Sequence, residues 1–451
     1  MPAKVKKRRI NLLFLLVFSG ALLGGIYKLL HYYDYPLAAA EYDQAVQDYR
    51  NAGLPWETAD LHNPQIDPQQ DAASLVKLAY QAYEKEPGNS FSYMEKAVAF
   101  RDAKNYKELL KFTASSKKCF DLLHQAAQLP KMSPQTNWEV YNSGFNVGDQ
   151  IPPLVQRLAY RAEAYAGLNQ PDHALQDLQV CEKLTRFAYY EPHLIALTSG
   201  AFTEAHTLRC IQSCALLLSH NAKFLESLLP VLQETPEPDY AKAVRATALP
   251  YLTDLRSLSP ADFADGREFT NYDEPKTFWE KADRQIEKMG SPKTKLRAYT
   301  TRYLQAWLEV DKLATRYEKD PKTLFRELDR FVQHIDEAKS KSKRVSNLMP
   351  TFTYFLGRQY QTVAQKRVTR FLVQALLMKT KTGRFPTRLA DIPGTWEDPF
   401  NGKPLILKAD SKTFRIYSVG PNEKDQGGLS REERRGGGRS DDVTAVAPIQ
   451  P

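Results

Sequence analysis

The sequence predicts a mainly α-helical protein with one N-terminal transmembrane helix and a small C-terminal α+β module. Three observations carry that prediction. A largely apolar run fills residues 10–30 directly behind a basic tail. From about Asp71 to about Gly357 apolar residues recur at helical spacing, with no sustained period-two alternation. Beyond residue 364 a last amphipathic helix gives way to turn-rich sequence and short strand-forming runs.

The tail, residues 1–9, holds Lys4, Lys6, Lys7, Arg8 and Arg9. The run that follows, INLLFLLVFSGALLGGIYKLL, carries one charge, Lys28, near its end. A long lysine there can snorkel to the interface. About 20 apolar residues cross a bilayer core. Tyr27, Tyr32, Tyr33 and Tyr35 fall at the exit, where an aromatic belt is expected. The basic cluster should stay cytoplasmic. The expectation is a single-pass inner-membrane protein with a cytoplasmic N-terminus and an extracytoplasmic bulk. A cleaved signal peptide is the alternative. However, the run exceeds the usual apolar core of about 7–15 residues, and the small residues Ala38–Ala40 lie well beyond it.

The formal charge of +9 invites a nucleic-acid partner. Its distribution argues against one. The first 35 residues set six basic side chains against Asp34 alone, a net of +5, which leaves +4 for all the rest. Nucleic-acid binders concentrate charge on a face or stripe.

Residues 31–70 read as a linker, with turns at Leu54-Pro55-Trp56 and Asn63-Pro64-Gln65. Residues 71–235 read as a helical-repeat region, and 236–357 as a second helical region. Helices are expected around 274–289, 294–318 and 322–345. The basic run Glu337–Arg344 reads as a solvated helix end. One unit is clearest, LAYRAEAYAGLNQPDHALQDLQVCEKL from Leu158 to Leu184. Small residues at Ala162 and Ala174 would let two helices approach, and Pro171 suits the first turn of the second. The unit resembles a tetratricopeptide-type helix–turn–helix, which implies an irregular helical array. An irregular bundle accommodates the same residues.

In the C-terminal module, 364–451, Val368, Phe371, Leu372, Ala375 and Leu376 share one helix face. Gly383 suits the helix C-terminus and Pro386 prevents continuation. Strands are expected at Leu405–Lys408 and Phe414–Ser418. The ordered pieces TGRFPTRLADI, DPFNGKPL, FRIYSVGPN and DDV resemble the globular end of the type II secretion major pseudopilin. They cover about 80 residues. That resemblance implies a calcium site at Val419 (through its carbonyl), Asn422, Asp441 and Asp442. Asp425 joins the candidates by proximity. Oxygen ligands of this kind suit calcium, which takes six to eight. Asn422 stands where the family carries Asp, and Arg431, Arg434, Arg435 and Arg439 add positive charge to the loop. The pseudopilin's membrane helix directly precedes its module, whereas here the apolar run lies far upstream. The whole layout also resembles bacterial envelope proteins of uncharacterised function.

No H-E-x-x-H, G-x-S-x-G, Walker-A or G-x-G-x-x-G motif occurs. His206, Cys210 and Cys214 follow at four-residue spacing, and so share a helix face. A zinc site would need a fourth ligand, so buried core cysteines are the expectation. Cys119 or Cys181 could pair with one of them in an oxidising compartment. The function expected is non-enzymatic: an interaction scaffold whose partners are envelope proteins or peptides. One alternative is an accessory component of a type II secretion or pilus-like machine. Another is a hydrolase in the helical region whose residues converge only on folding.

Overall fold

Helix starts are written into the sequence as capping side chains. Asp102, Asn221, Asp239 and Asp320 each accept a hydrogen bond from the backbone N–H three residues on, at 2.8–3.0 Å. His193 does the same through Nδ1. Each bond satisfies a donor that the first helical turn leaves without a partner. Pro171 and Pro292 open two further helices, and Pro321 opens the helix that Asp320 caps, at positions where a missing N–H costs little.

A computed structural model describes residues 39–57, 60, 66–85, 102–133, 147–189, 193–233, 238–257, 292–337, 352–429 and 441–449. The expected membrane span at 10–30 and helix at 274–289 lie outside them. So do residues 338–344 of the basic run and the four loop arginines. Among the described residues no helix is long and apolar enough to cross a membrane. The protein is mainly helical, and its chain divides into two compact units.

The larger unit combines residues 61–243 and 352–451. Its helices are α2 (Ala73–Glu84), α3 (Ala103–Ala114), α4 (Lys117–Gln128), α5 (Val147–Gly167), α6 (Pro171–Ala188), α7 (Leu194–Leu217), α8 (Ala222–Leu228) and α12 (Phe352–Thr382). Consecutive helices pack as hairpins, α5 on α6 and α6 on α7, while α2 packs on α4. Ala162 and Ala174 are fully buried, as their small size anticipates. Asp177 of α6 ties this core together. It takes two hydrogen bonds from Arg161 of α5, at 2.6 and 2.7 Å, and lies 3.0 Å from Nε2 of His124 on α4. The Arg161 guanidinium lies 3.7 Å from the centre of the Phe120 ring.

Helix α12 is the longest described and crosses the 357–364 stretch without a break. Its first half packs on α7 through a polar stripe. Gln359 donates to the Leu197 carbonyl (2.7 Å) and Thr362 to the Ala201 carbonyl (3.3 Å). Lys366 pairs with Glu204, and Thr369 accepts from Gln212 (2.7 Å). Tyr189 donates to the same Glu204 at 2.7 Å, so the buried carboxylate is matched on two sides.

The second half of α12 covers an antiparallel sheet in the order β1 (Ile406–Ala409), β2 (Thr413–Ser418), β3 (Val443–Pro448). Leu407 faces Ile416, and Ile416 faces Ala445. Phe371 of α12 meets Trp396 edge-on at 4.8 Å, and Phe414 stacks on Phe385 at 4.6 Å. The first two strands fall within a residue of their expected bounds. The third extends the DDV segment, which by itself shows little alternation.

The short turn Leu389–Asp391 carries a pH signature. Asp391 accepts from the backbone N–H of Arg388 and of Thr387, both at 2.9 Å. These donors hold its carboxyl down at about 2. A depressed carboxyl stabilises the fold above its unfolded value near 4, and that contribution fades as the pH falls toward 2. An NMR titration of the full chain should therefore place the Asp391 midpoint near 2. Asp391→Asn should flatten the stability profile across that window. A wild-type midpoint near 4 would contradict the assignment.

The smaller unit combines residues up to 60 with 244–351. It contains α1 (39–51), most of α9 (Tyr240–Ser257), α10 (Pro292–Arg316) and α11 (Pro321–Glu337). These last two correspond to the helices expected at 294–318 and 322–345. Tyr303 donates to the Ala248 carbonyl at 2.8 Å, and Arg245 pairs with Asp311 at 2.5 Å. Trp56 is held between the guanidinium groups of Arg50 and Arg256, at 4.8 and 4.9 Å.

Candidate functional site

The C-terminal loop is built on Asp398, the first residue of DPFNGKPL. Its buried carboxylate accepts from the Phe400 N–H (3.0 Å), the Ser418 hydroxyl (3.0 Å) and the Val419 N–H (2.8 Å). This fixes the end of β2, from which the chain turns at Gly420. There φ is +67°, and a Cβ would fall 2.0 Å from the Asp441 carbonyl oxygen. Only glycine allows that approach.

Three of the five expected calcium ligands converge on a residue that the sequence does not single out, Gln426. Its side-chain oxygen accepts from Asn422 Nδ2 (3.0 Å) and from the Asp441 N–H (2.6 Å). Its own N–H donates to Asp442 at 3.1 Å, and the Gly428 N–H donates to the same carboxylate oxygen at 2.7 Å. Asn422 also bonds Asp441 directly, at 2.8 Å. Val419 gives its N–H to Asp398 instead. Asp425 turns elsewhere. It accepts from the Gly427 N–H and the Tyr417 hydroxyl, both at 2.8 Å, and lies 3.4 Å from Lys408. The Gly427 N–H is the main reason its carboxyl is held below the usual range. The oxygens thus suit a hard cation in kind, but not all five share one cage. Among the described residues no group of three or more His, Cys, Asp or Glu is placed to hold a metal ion.

Cys210 and Cys214 lie 3.8 Å apart, sulfur to sulfur, on adjacent turns of α7. Cys210 also reaches the Ala159 carbonyl at 2.9 Å. All four cysteines are buried free thiols. Burial pushes the Cys181 and Cys214 thiols well up. His206 instead stands edge-on to Tyr160, with ring centres 5.5 Å apart. The cysteines form part of the packed core, whereas His206 is only partly buried.

Two surface features of the larger unit have no counterpart in a sequence motif. One is an aromatic–arginine cluster. Phe202 of α7 and Tyr354 of α12 are 48% and 47% exposed. The Arg358 guanidinium bridges their rings, at 4.9 and 5.2 Å. The other is a cleft of about 280 Å³ lined by Leu232, Lys366, Arg367, Arg370, Thr395 and Trp396. Among the described residues no carboxylate lines it.

No protein-family model, no curated protein and no solved structure matches this chain.

Proposed function

We propose that the protein is a membrane-anchored, extracytoplasmic interaction scaffold, with a tetratricopeptide-like helical array that displays a binding surface to envelope proteins or peptides. The observation that carries this reading is the exposed cluster of Phe202, Arg358 and Tyr354. Large aromatic rings held by an arginine are the chemistry of interface hot spots. The guanidinium pre-positions both rings, so little side-chain freedom is lost on docking. Full-length protein solubilised from membranes should capture a reproducible set of envelope proteins. Phe202→Ser with Tyr354→Ser should lose that set while the circular dichroism spectrum stays unchanged. Undiminished capture by the double variant would count against the cluster as the docking surface.

A second reading, a pseudopilin-like calcium module serving a secretion machine, draws support from the convergence of Asn422, Asp441 and Asp442. Calcium there would neutralise two adjacent carboxylates and pin the loop that joins β2 to β3. The full chain would then melt higher in calcium than in chelator, because a ligand of the native state stabilises it by mass action. At a hundredfold excess over Kd the expected rise is about 5 °C. Equal midpoints at saturating calcium would remove the site.

A further inference from the structure

The cleft beside α12 has an unusual charge balance for a partly enclosed space. Among the described residues three cationic side chains, Lys366, Arg367 and Arg370, line it, and no acid does. Lys366 is matched by Glu204 on the side facing α7. Arg367 donates to the Glu397 carbonyl at 2.6 Å. Arg370 is different. Its Nε is shielded from solvent and has no hydrogen-bond partner among the described residues. A shielded N–H without an acceptor is costly, and proteins rarely leave one so. Leu232 and Trp396 supply apolar wall on the same cleft, and Thr395 adds a hydroxyl.

We propose that this cleft binds a small organic acid, its carboxylate on Arg370 and Arg367 and its apolar body against Trp396 and Leu232. An arginine fork matches the two oxygens of a carboxylate. The volume lies near the lower end of ligand pockets, about 300–1,000 Å³, which suits a small acid and is too little for a nucleotide. Phosphate sites commonly recruit backbone N–H groups at a helix N-terminus. Here the cationic residues sit in the interior of α12, where the backbone N–H groups are already used. The inference is independent of the aromatic cluster and of the calcium reading.

The test is titration of the full chain at low salt with three probes: N-acetyl-leucine, its uncharged amide, and inorganic phosphate. N-acetyl-leucine should bind saturably, with the amide and phosphate each at least about tenfold weaker. Arg370→Met should weaken N-acetyl-leucine about tenfold or more, the loss expected for one charge-assisted hydrogen bond. Arg370→Lys, which keeps the charge but not the fork, should fall between and guards against misfolding of the first variant. Gln374, one turn further along α12, also has an unpartnered buried oxygen. An internal Arg370–Gln374 bond is the competing account, and it predicts that Arg370→Met lowers stability while binding stays unchanged. That result would overturn the proposal. So would equal binding of the amide, tighter binding of phosphate, or no saturable binding of N-acetyl-leucine.

Discussion

Asp177→Ala should lower the unfolding free energy by about 3–5 kcal/mol, the cost typical of breaking a buried ion pair by removing one partner. Asp177 is 1% exposed and is the anion that matches Arg161. Burial alone would lower the Arg161 pKa, and Asp177 more than offsets that effect. Without the carboxylate, the guanidinium stays against Phe120 with its charge unpaired. His124 loses the same partner. The loss should appear as a shifted midpoint in urea with little change in slope. Replacing both partners by apolar residues, Arg161→Met with Asp177→Leu, should recover much of the deficit, because the buried charge goes with its partner. A loss below about 1 kcal/mol for the single variant would mean that the cluster is hydrated in solution.

The second large effect is expected at Asp398→Ala, with a loss of about 3 kcal/mol or more, since each buried donor left without its acceptor costs about 1–3 kcal/mol. Phe400 N–H, Ser418 hydroxyl and Val419 N–H all depend on this one carboxylate. Asp398→Asn keeps one acceptor oxygen and should lose less. Hydrogen exchange offers a local check. The Val419 amide should exchange faster in Asp398→Ala, while amides at the centre of α5 and α6 slow or speed only with global stability. An unchanged Val419 rate would show that the strand end is held by other contacts.

The legible parts of this protein are those whose signals are local. Capping residues such as Asp102 and Asn221, and the proline at 171, place helix starts from a few neighbouring positions. The strand pair around Asp410 is legible for the same reason. Its carboxylate accepts from the N–H groups of Lys412 and Thr413, both at 2.7 Å, and closes the turn. The α12 stripe was not legible. Gln359, Thr362, Lys366 and Thr369 recur at helical spacing, which in a sequence marks a solvated face. They are buried because their partners, from Leu197 to Gln212, lie about 160 residues earlier. The candidate sites divide similarly. Asp398 falls within a recognisable motif, although its motif does not reveal that three donors meet on it. Gln426 sits in a Gly- and charge-rich loop with nothing to distinguish it. Phe202, Arg358 and Tyr354 come together only through the α7–α12 contact, so no window of sequence contains the cluster.

The position of α12 in the chain has a consequence for biosynthesis. The face of α7 that receives it is complete at Leu217, but α12 begins only at Phe352. At about 5–20 residues per second, α7 waits for its partner for on the order of 10 s while residues 244–351 of the smaller unit are made. During that interval the nascent chain carries a half-built interface, with Glu204 and the Leu197 and Ala201 carbonyls lacking their partners from α12. The larger unit can therefore close only after nearly the whole polypeptide has emerged. A chain stalled before Phe352 should be recognised by chaperones or proteases as unfinished.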